Sequence, residues 1–346
     1  MSGITIGLPE IVAAIMVLAL NAYVLTGGAD FGGGMWDLLA RGPRRAAQRE
    51  LIASQIGPIW EANHVWLILV VVLLFTAFPA AFATLGVVLH IPLSLMLVGI
   101  VLRGSSFVFR SYGAADDATQ QRWGRVFAMA SVITPLLLGI IVGTIASGAA
   151  GAAADRLATA RDATFASVYV APWLSPFPLA MGALSLAMFA FLAAVYLALA
   201  ADDDALRDDF RRRALLAAAA MFVAAFGGLA VAHVMAPHVS GALIGSRAIA
   251  FQAVTGLAAI TALWAIWTRR VRIARVAAAL QVSLILWGWV LVQYPFIVPP
   301  LHGVRDAAAP RITLELLLGA LAAGALILFP SLAYLFRTFA AGRRER

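Results

Sequence analysis

Apolar runs close to the roughly 20 residues a helix needs to cross a hydrocarbon core recur from one end of this 346-residue sequence to the other. Nine can be laid down, at about 8–25, 58–78, 82–101, 126–145, 176–199, 214–234, 249–267, 276–297 and 312–335. In lipid every backbone N–H and C=O must be satisfied within the chain, so runs of this length become helices. No stretch between them is long enough for a separate soluble domain. Composition agrees: the chain is 63% hydrophobic and 12% charged, with a mean hydropathy of +0.93, far from the balance of soluble domains. The expected fold is an all-α, polytopic membrane protein forming one integral domain over residues 1–346. The first run continues through glycines to about Ala40, where distortion of the helix is expected.

Arginine supplies the orientation. Cytoplasmic loops of membrane proteins carry excess basic residues near the helix ends, and all 25 basic residues here are Arg. Of these, 19 follow odd-numbered spans, while only five, Arg156, Arg161, Arg247, Arg305 and Arg311, lie on the other side. The asymmetry predicts an outer N-terminus, a cytoplasmic C-terminus and an odd number of spans. The connection at 147–174 is then external. "ADDDALRDDFRRR" is expected to be a solvated internal hinge that splits the chain after the fourth span. The opening "MSGITIGLPE" lacks the basic region of a signal peptide, so the first run is expected to remain as a helix.

Several chemistries are excluded by residues the chain lacks. Without cysteine there is no thiol nucleophile, Cys-ligated zinc or iron–sulfur cluster, and without lysine no Schiff base or P-loop lysine. The arginines flank apolar runs rather than forming a patch for nucleic acid, so no nucleic-acid partner is expected.

Ionisable groups at membrane depth are costly, roughly +2.5 to +3.5 kcal/mol each at a helix centre by insertion scales, and invite functional readings. In "IWEANHVWLI", Glu61 and His64 are i,i+3 neighbours with Asn63 between them, flanked by Trp60 and Trp66. Burial raises a carboxylate pKa and lowers that of histidine, so such a pair can relay protons; alternatively Glu61 answers an arginine. In "TGGADFGGGMWDLLARG", Asp30 sits among Gly27, Gly28, Gly32, Gly33 and Gly34. The glycines admit another backbone or let the helix unwind, and Asp30 is either a proton or ion site or a helix-end acceptor. In "LRGSSFVFRSYG", Arg103 and Arg110 share a face; Arg103 can pair with Glu61 or Asp30, or hold a lipid headgroup. His90 and His233 lie at similar depth, but His90 precedes Ile91–Pro92 in an apolar helix, which disfavours a haem between them. His238 and His302 are expected to be solvated in outer loops. In "VQYPFIVPPLHG" the prolines are expected to end the eighth span.

In order and spacing these motifs, together with "FPAAFA" and "SQIGPIWEANHVWLI", resemble subunit II of the cytochrome bd-type quinol oxidases, including the cyanide-insensitive branch. The resemblance implies two four-helix bundles, residues 1–147 and 175–297, with a peripheral helix at 312–337. It further implies a heterodimer in the bacterial inner membrane with a haem-bearing subunit I that holds haems b and d. Quinol would be the substrate of the complex, and this chain would bind no haem or metal and hold no catalytic residue of its own. Membrane lipid surrounds such a complex. A small single-helix subunit and a quinone or lipid within the bundle are left open. By motif, the resemblance assigns a cytoplasmic proton path to Glu61, His64, Asn63, Asp30 and Arg103. It gives structural roles to Trp60, Trp66, Gly32, Gly34, Phe107, Phe109 and Arg110. Two positions depart from the family pattern: Gly27 stands where a first acid is usual, and Val108 where a glutamate is common. Glycine-broken helices with membrane acids also suit a proton-coupled secondary transporter or channel, although spans five to eight hold no internal acid.

Overall fold

The computed structural model describes residues 6–56, 60–112, 117–246 and 248–342. Helices α1 (Leu8–Leu38), α5 (His90–Tyr112), α6 (Asp117–Ala146), α9 (Pro176–Ala200), α10 (Asp204–Met235), α12 (Ile249–Trp267), α13 (Val271–Gln293) and α14 (Arg311–Gly342) are long and apolar enough to cross a membrane. Helix α3 (Trp60–Ala77) turns by 115° into α4 (Pro79–Val88), and the bent pair makes a ninth among the described residues when counted as one span. Short helices fill the connections: α2 (Arg45–Ile56), α7 (Ala149–Thr159), α8 (Phe165–Tyr169) and α11 (Pro237–Ile244). The chain is thus an all-α polytopic membrane protein.

Local chemistry sets these boundaries. Pro79 opens α4, where its fixed φ and missing N–H suit the first turn of a helix and cannot continue α3. The bend strands the last carbonyls of α3, and Ala77 O accepts from the backbone N–H of Ala309 at 2.8 Å. The third span therefore begins at His90, because 79–88 is a separate helix, rather than at 82. The eighth ends at Gln293, and residues beyond it form an antiparallel pair of strands, β1 (Phe296–Val298) and β2 (His302–Gly303).

The presumed solvated hinge is a helix start. Asp203 accepts from the Leu206 N–H at 2.8 Å as the N-cap of α10, and the charged segment that follows is helical.

Helix α9 lies at the centre of the packing. It contacts α1, α6, α10 and α13, while α5 packs on α6, α3 on α1, and α12 on α13. Helix α14 touches α1 and α3 at the edge. Lipid gives no hydrophobic drive for helices to associate, so close backbone approach and dispersion must hold them. Gly32 shows how. A Cβ there would lie 2.0 Å from the Phe189 carbonyl oxygen and 2.6 Å from the Ala193 Cβ. The expected distortion of α1 through its glycines does not occur: the helix runs unbroken to Leu38, and the glycines admit α9 instead of unwinding.

Gly32→Ala would drive a methyl into backbone rather than into a movable side chain. It is expected to destabilise the chain by about 3 kcal/mol or more, read as lost thermal stability in detergent. Gly86→Ala, where a Cβ meets nothing within 4 Å, is the control and should leave stability unchanged.

Candidate functional site

The structure joins Asp30 of α1 to Arg103 of α5. Arg103 donates from Nη2 to Asp30 Oδ1 at 2.6 Å and from Nη1 to Oδ2 at 2.8 Å, a two-pronged ion pair. Nη2 also reaches the Asp30 carbonyl at 3.2 Å, and Nε donates to Ser131 Oγ of α6 at 3.1 Å. Ser131 Oγ in turn donates to the Phe127 carbonyl at 2.7 Å. The rings of Phe31 and Phe127 lie 4.7 and 4.9 Å from the guanidinium carbon.

Both residues are buried, Arg103 at 1% exposure and Asp30 at 2%. A buried pair of this kind gains little net stability over apolar packing, because desolvation offsets attraction; stranding either charge is what is costly. The arrangement therefore fixes geometry, pinning α1, α5 and α6 at one level. Gly34 makes it possible, since a Cβ there would sit 2.1 Å from Ser131 Oγ.

Asn63 is also buried, at 3% exposure, and its Nδ2 amide has no hydrogen-bond partner among the described residues. Its neighbour His64 lines a cleft of about 450 Å³ open to the surface between α3 and α5, with Ile100, Val101, Gly104, Ser105, Val108 and Phe109. Trp66 and Phe107 pack against the main core. Phe107 faces Phe127 with ring centroids 6.2 Å apart, and Phe109 stacks on Trp123 at 4.7 Å. The side chains of Trp60, Glu61 and Arg110 lie outside the described residues.

A second polar cluster went unread in the sequence. Asp37 at the end of α1 takes two bonds from Arg49 of α2, at 2.9 and 3.1 Å. Asp209 of α10 takes two from Arg44, at 2.8 and 2.6 Å, and one from Gln48 at 3.0 Å. These bonds hold the Arg44 and Arg49 guanidinium pKa values above the ordinary range. Arg213 donates to Gln48 Oε1 at 2.6 Å and lies over Trp36, whose Nε1–H reaches the Ala190 carbonyl at 2.8 Å. Helix α2 is thereby tied to both halves of the chain. The i,i+3 spacing of Asp208 and Arg211 signals that the charged segment is helical, not these contacts across the chain.

A family model described as cytochrome bd terminal oxidase subunit II matches residues 8–339, a stretch that includes every residue named above as a site candidate. The chain belongs to this family.

It is 33% identical to the cytochrome bd ubiquinol oxidase subunit 2 of Bacillus subtilis (strain 168) over 135 residues, 39% of this chain and 38% of that relative. To the cytochrome bd-I ubiquinol oxidase subunit 2 of Escherichia coli (strain K12) it is 26% identical over 178 residues, 51% of this chain and 45% of that relative. The chain thus spans less than half the length of these two curated relatives. Its fold is similar to that of the bd oxidase from Geobacillus thermodenitrificans, with a TM-score of 0.72 over 96% of this chain and 98% of that one at 21% identity.

Three of the histidines are bonded within the fold. His90 is bonded through Nδ1 to the Val87 carbonyl at 2.8 Å and packs on Tyr169. His238 Nε2 meets the Ala146 carbonyl at 3.0 Å, and His302 Nε2 meets Thr84 Oγ1 at 2.8 Å. The last two are therefore bonded within the fold rather than left to solvent. No group of three or more potential metal ligands is found among the described residues.

Asp30→Asn leaves the Arg103 charge buried and unpaired, and is expected to destabilise the chain by about 3–5 kcal/mol. Replacing both, Asp30→Leu with Arg103→Leu, should recover more than half of that loss. Thermal unfolding of the two variants checks the pair, and equal stability of the single variant and wild type would contradict it.

Proposed function

We propose that this chain is the haem-free second subunit of a terminal oxidase that couples quinol oxidation to reduction of oxygen to water. What supports the reading first is the match along residues 8–339. The relatives from Bacillus subtilis and Escherichia coli carry names of ubiquinol oxidase subunits. In this reading the chain packs against a haem-bearing subunit I, whose haems supply electron transfer and oxygen reduction. Two quinols yield four electrons and release four protons outside, and one oxygen takes four protons from inside to give two waters. The arginine asymmetry supports an outer N-terminus and a cytoplasmic C-terminus in the inner membrane. The division into bundles at 1–147 and 175–297, with 312–337 outside them, belongs to the same proposal. Helix α9 packs on both α1 and α6, so the two proposed bundles are in direct contact.

The chain's own contribution is proton delivery from the cytoplasmic side. Glu61 takes up a proton in the first turn of α3, and His64, one turn on, exchanges it. Asn63 supports this role: its buried Nδ2, which has no partner among the described residues, can donate to a carboxylate that changes charge as the proton passes. Asp30 and Arg103, placed on the path by the sequence motifs, serve here as its fixed electrostatic wall. A two-pronged, buried ion pair fixes geometry, because stranding either charge is costly.

Purification of a tagged copy from native membranes tests the assignment. A haem-bearing integral partner with quinol oxidase activity is expected, whereas a haem-free solitary chain would end the reading. Glu61→Gln should slow oxygen reduction by about tenfold or more while the haem spectrum and subunit ratio of the complex stay intact. Unchanged turnover would remove the proton role and leave the subunit assignment standing.

A further inference from the structure

We propose that the turn between α12 and α13 binds the headgroup of an anionic phospholipid. Helix α12 ends with the Arg269 N–H bonded to the Ile266 carbonyl at 3.3 Å and the Arg270 N–H to the Ala265 carbonyl at 2.8 Å. This pattern closes a helix through one residue in the left-handed region, a place where glycine is usual. Arg269 occupies it, with φ +60°. A side chain is thus kept where its absence would relieve backbone strain.

The turn splits its two arginines. Arg269 reaches back to α10 and donates to Asp208 Oδ2 at 2.8 Å, a carboxylate already shared with Arg211 at 3.1 Å. Arg270 instead lies over the Trp264 ring, 4.8 Å from its centroid. Neither Arg270 nor Arg272 has a carboxylate partner among the described residues. Arg270 and Arg272 are both exposed, Arg270 beside the indole, and Asp208 is already shared by Arg211 and Arg269.

Below them runs a path for acyl chains. Leu257, Ile260, Trp264 and Trp267 follow one another at helical spacing on a single face of α12, and all are exposed, Trp264 at 45% and Trp267 at 72%. From Leu257 to Trp267 this stripe runs about 15 Å. On the packed neighbour α13, Ile273, Val276 and Leu280 are exposed in the same manner. Tryptophan at both levels marks the depth where headgroup meets hydrocarbon. An occupant that fits the whole feature has a negative head for Arg270 and Arg272 and apolar chains for the stripe, and basic pockets at helix ends bind such lipids. A free inorganic anion would leave the stripe unused. A zwitterionic lipid would bring its own cation against the arginines.

The test uses the protein purified from its membrane with whatever subunits accompany it. The complex is stripped of lipid in detergent and titrated with phosphatidylglycerol or with phosphatidylcholine of the same chains, and bound lipid is read by native mass spectrometry. Wild type is expected to take phosphatidylglycerol in preference. Replacing Arg270 and Arg272 together by Ala should weaken that binding about 10- to 30-fold, from the surface attraction of two arginines, and leave phosphatidylcholine unchanged. Arg156→Ala with Arg161→Ala, in the connection at the other membrane face, should change neither. Trp264→Leu, which keeps both charges, should give a smaller loss. Arg270→Gln with Arg272→Gln serves if the alanine pair does not accumulate. Equal binding of the two lipids, or undiminished phosphatidylglycerol binding in the double variant, would overturn the proposal. So would protection of both arginines from phenylglyoxal in the lipid-free complex, which would mean that a protein covers the face.

Discussion

The rest of the structure depends on one buried ion pair. In a bilayer core neither the Asp30 carboxylate nor the Arg103 guanidinium is tolerable alone. Once both are present, α1 and α5 must stay in a single register that brings them together. Ser131 and the rings of Phe31 and Phe127 complete the shell, so that α6 is drawn into the same register. Apolar packing tolerates sliding by a turn; a two-pronged guanidinium–carboxylate contact does not.

The rest of the helix packing follows the logic of contacts made in lipid. Without a hydrophobic drive, α9 is held against α1 by close approach: Gly32 lets the Phe189 carbonyl meet α1 directly. On α6, Gly139 does the same beneath the Met181 carbonyl, where a Cβ would come within 2.4 Å. At one membrane face the ion pairs of Asp37 and Asp209 fasten α2 across both halves. Helix α3 packs on α1, and its first turns carry the residues proposed to move protons.

Much of this was legible in the sequence, and the remainder was not for identifiable reasons. Run length and arginine alternation give nine crossings, because both report on single helices in lipid. Pro79 is visible too and ends the second run, but the break at Leu89 between α4 and α5 is not, because the residues on either side of it are equally apolar. The glycines around Asp30 suggested unwinding; their use for close approach depends on Phe189, which lies about 160 residues away in the chain and meets them only in the fold. Whether Arg103 would choose Asp30 or Glu61 was open for the same reason. Arg44 and Asp209 are separated by 165 positions, and each looked like an ordinary loop charge until the helices were placed.

The central proposal is that Glu61 changes protonation during turnover while Asp30 holds Arg103 in place. Infrared difference spectroscopy of the assembled complex between its reduced and oxidised states measures this directly. The account predicts a carboxylic-acid carbonyl signal that disappears when Glu61 is replaced by Gln. A signal that persists undiminished in that variant would contradict it.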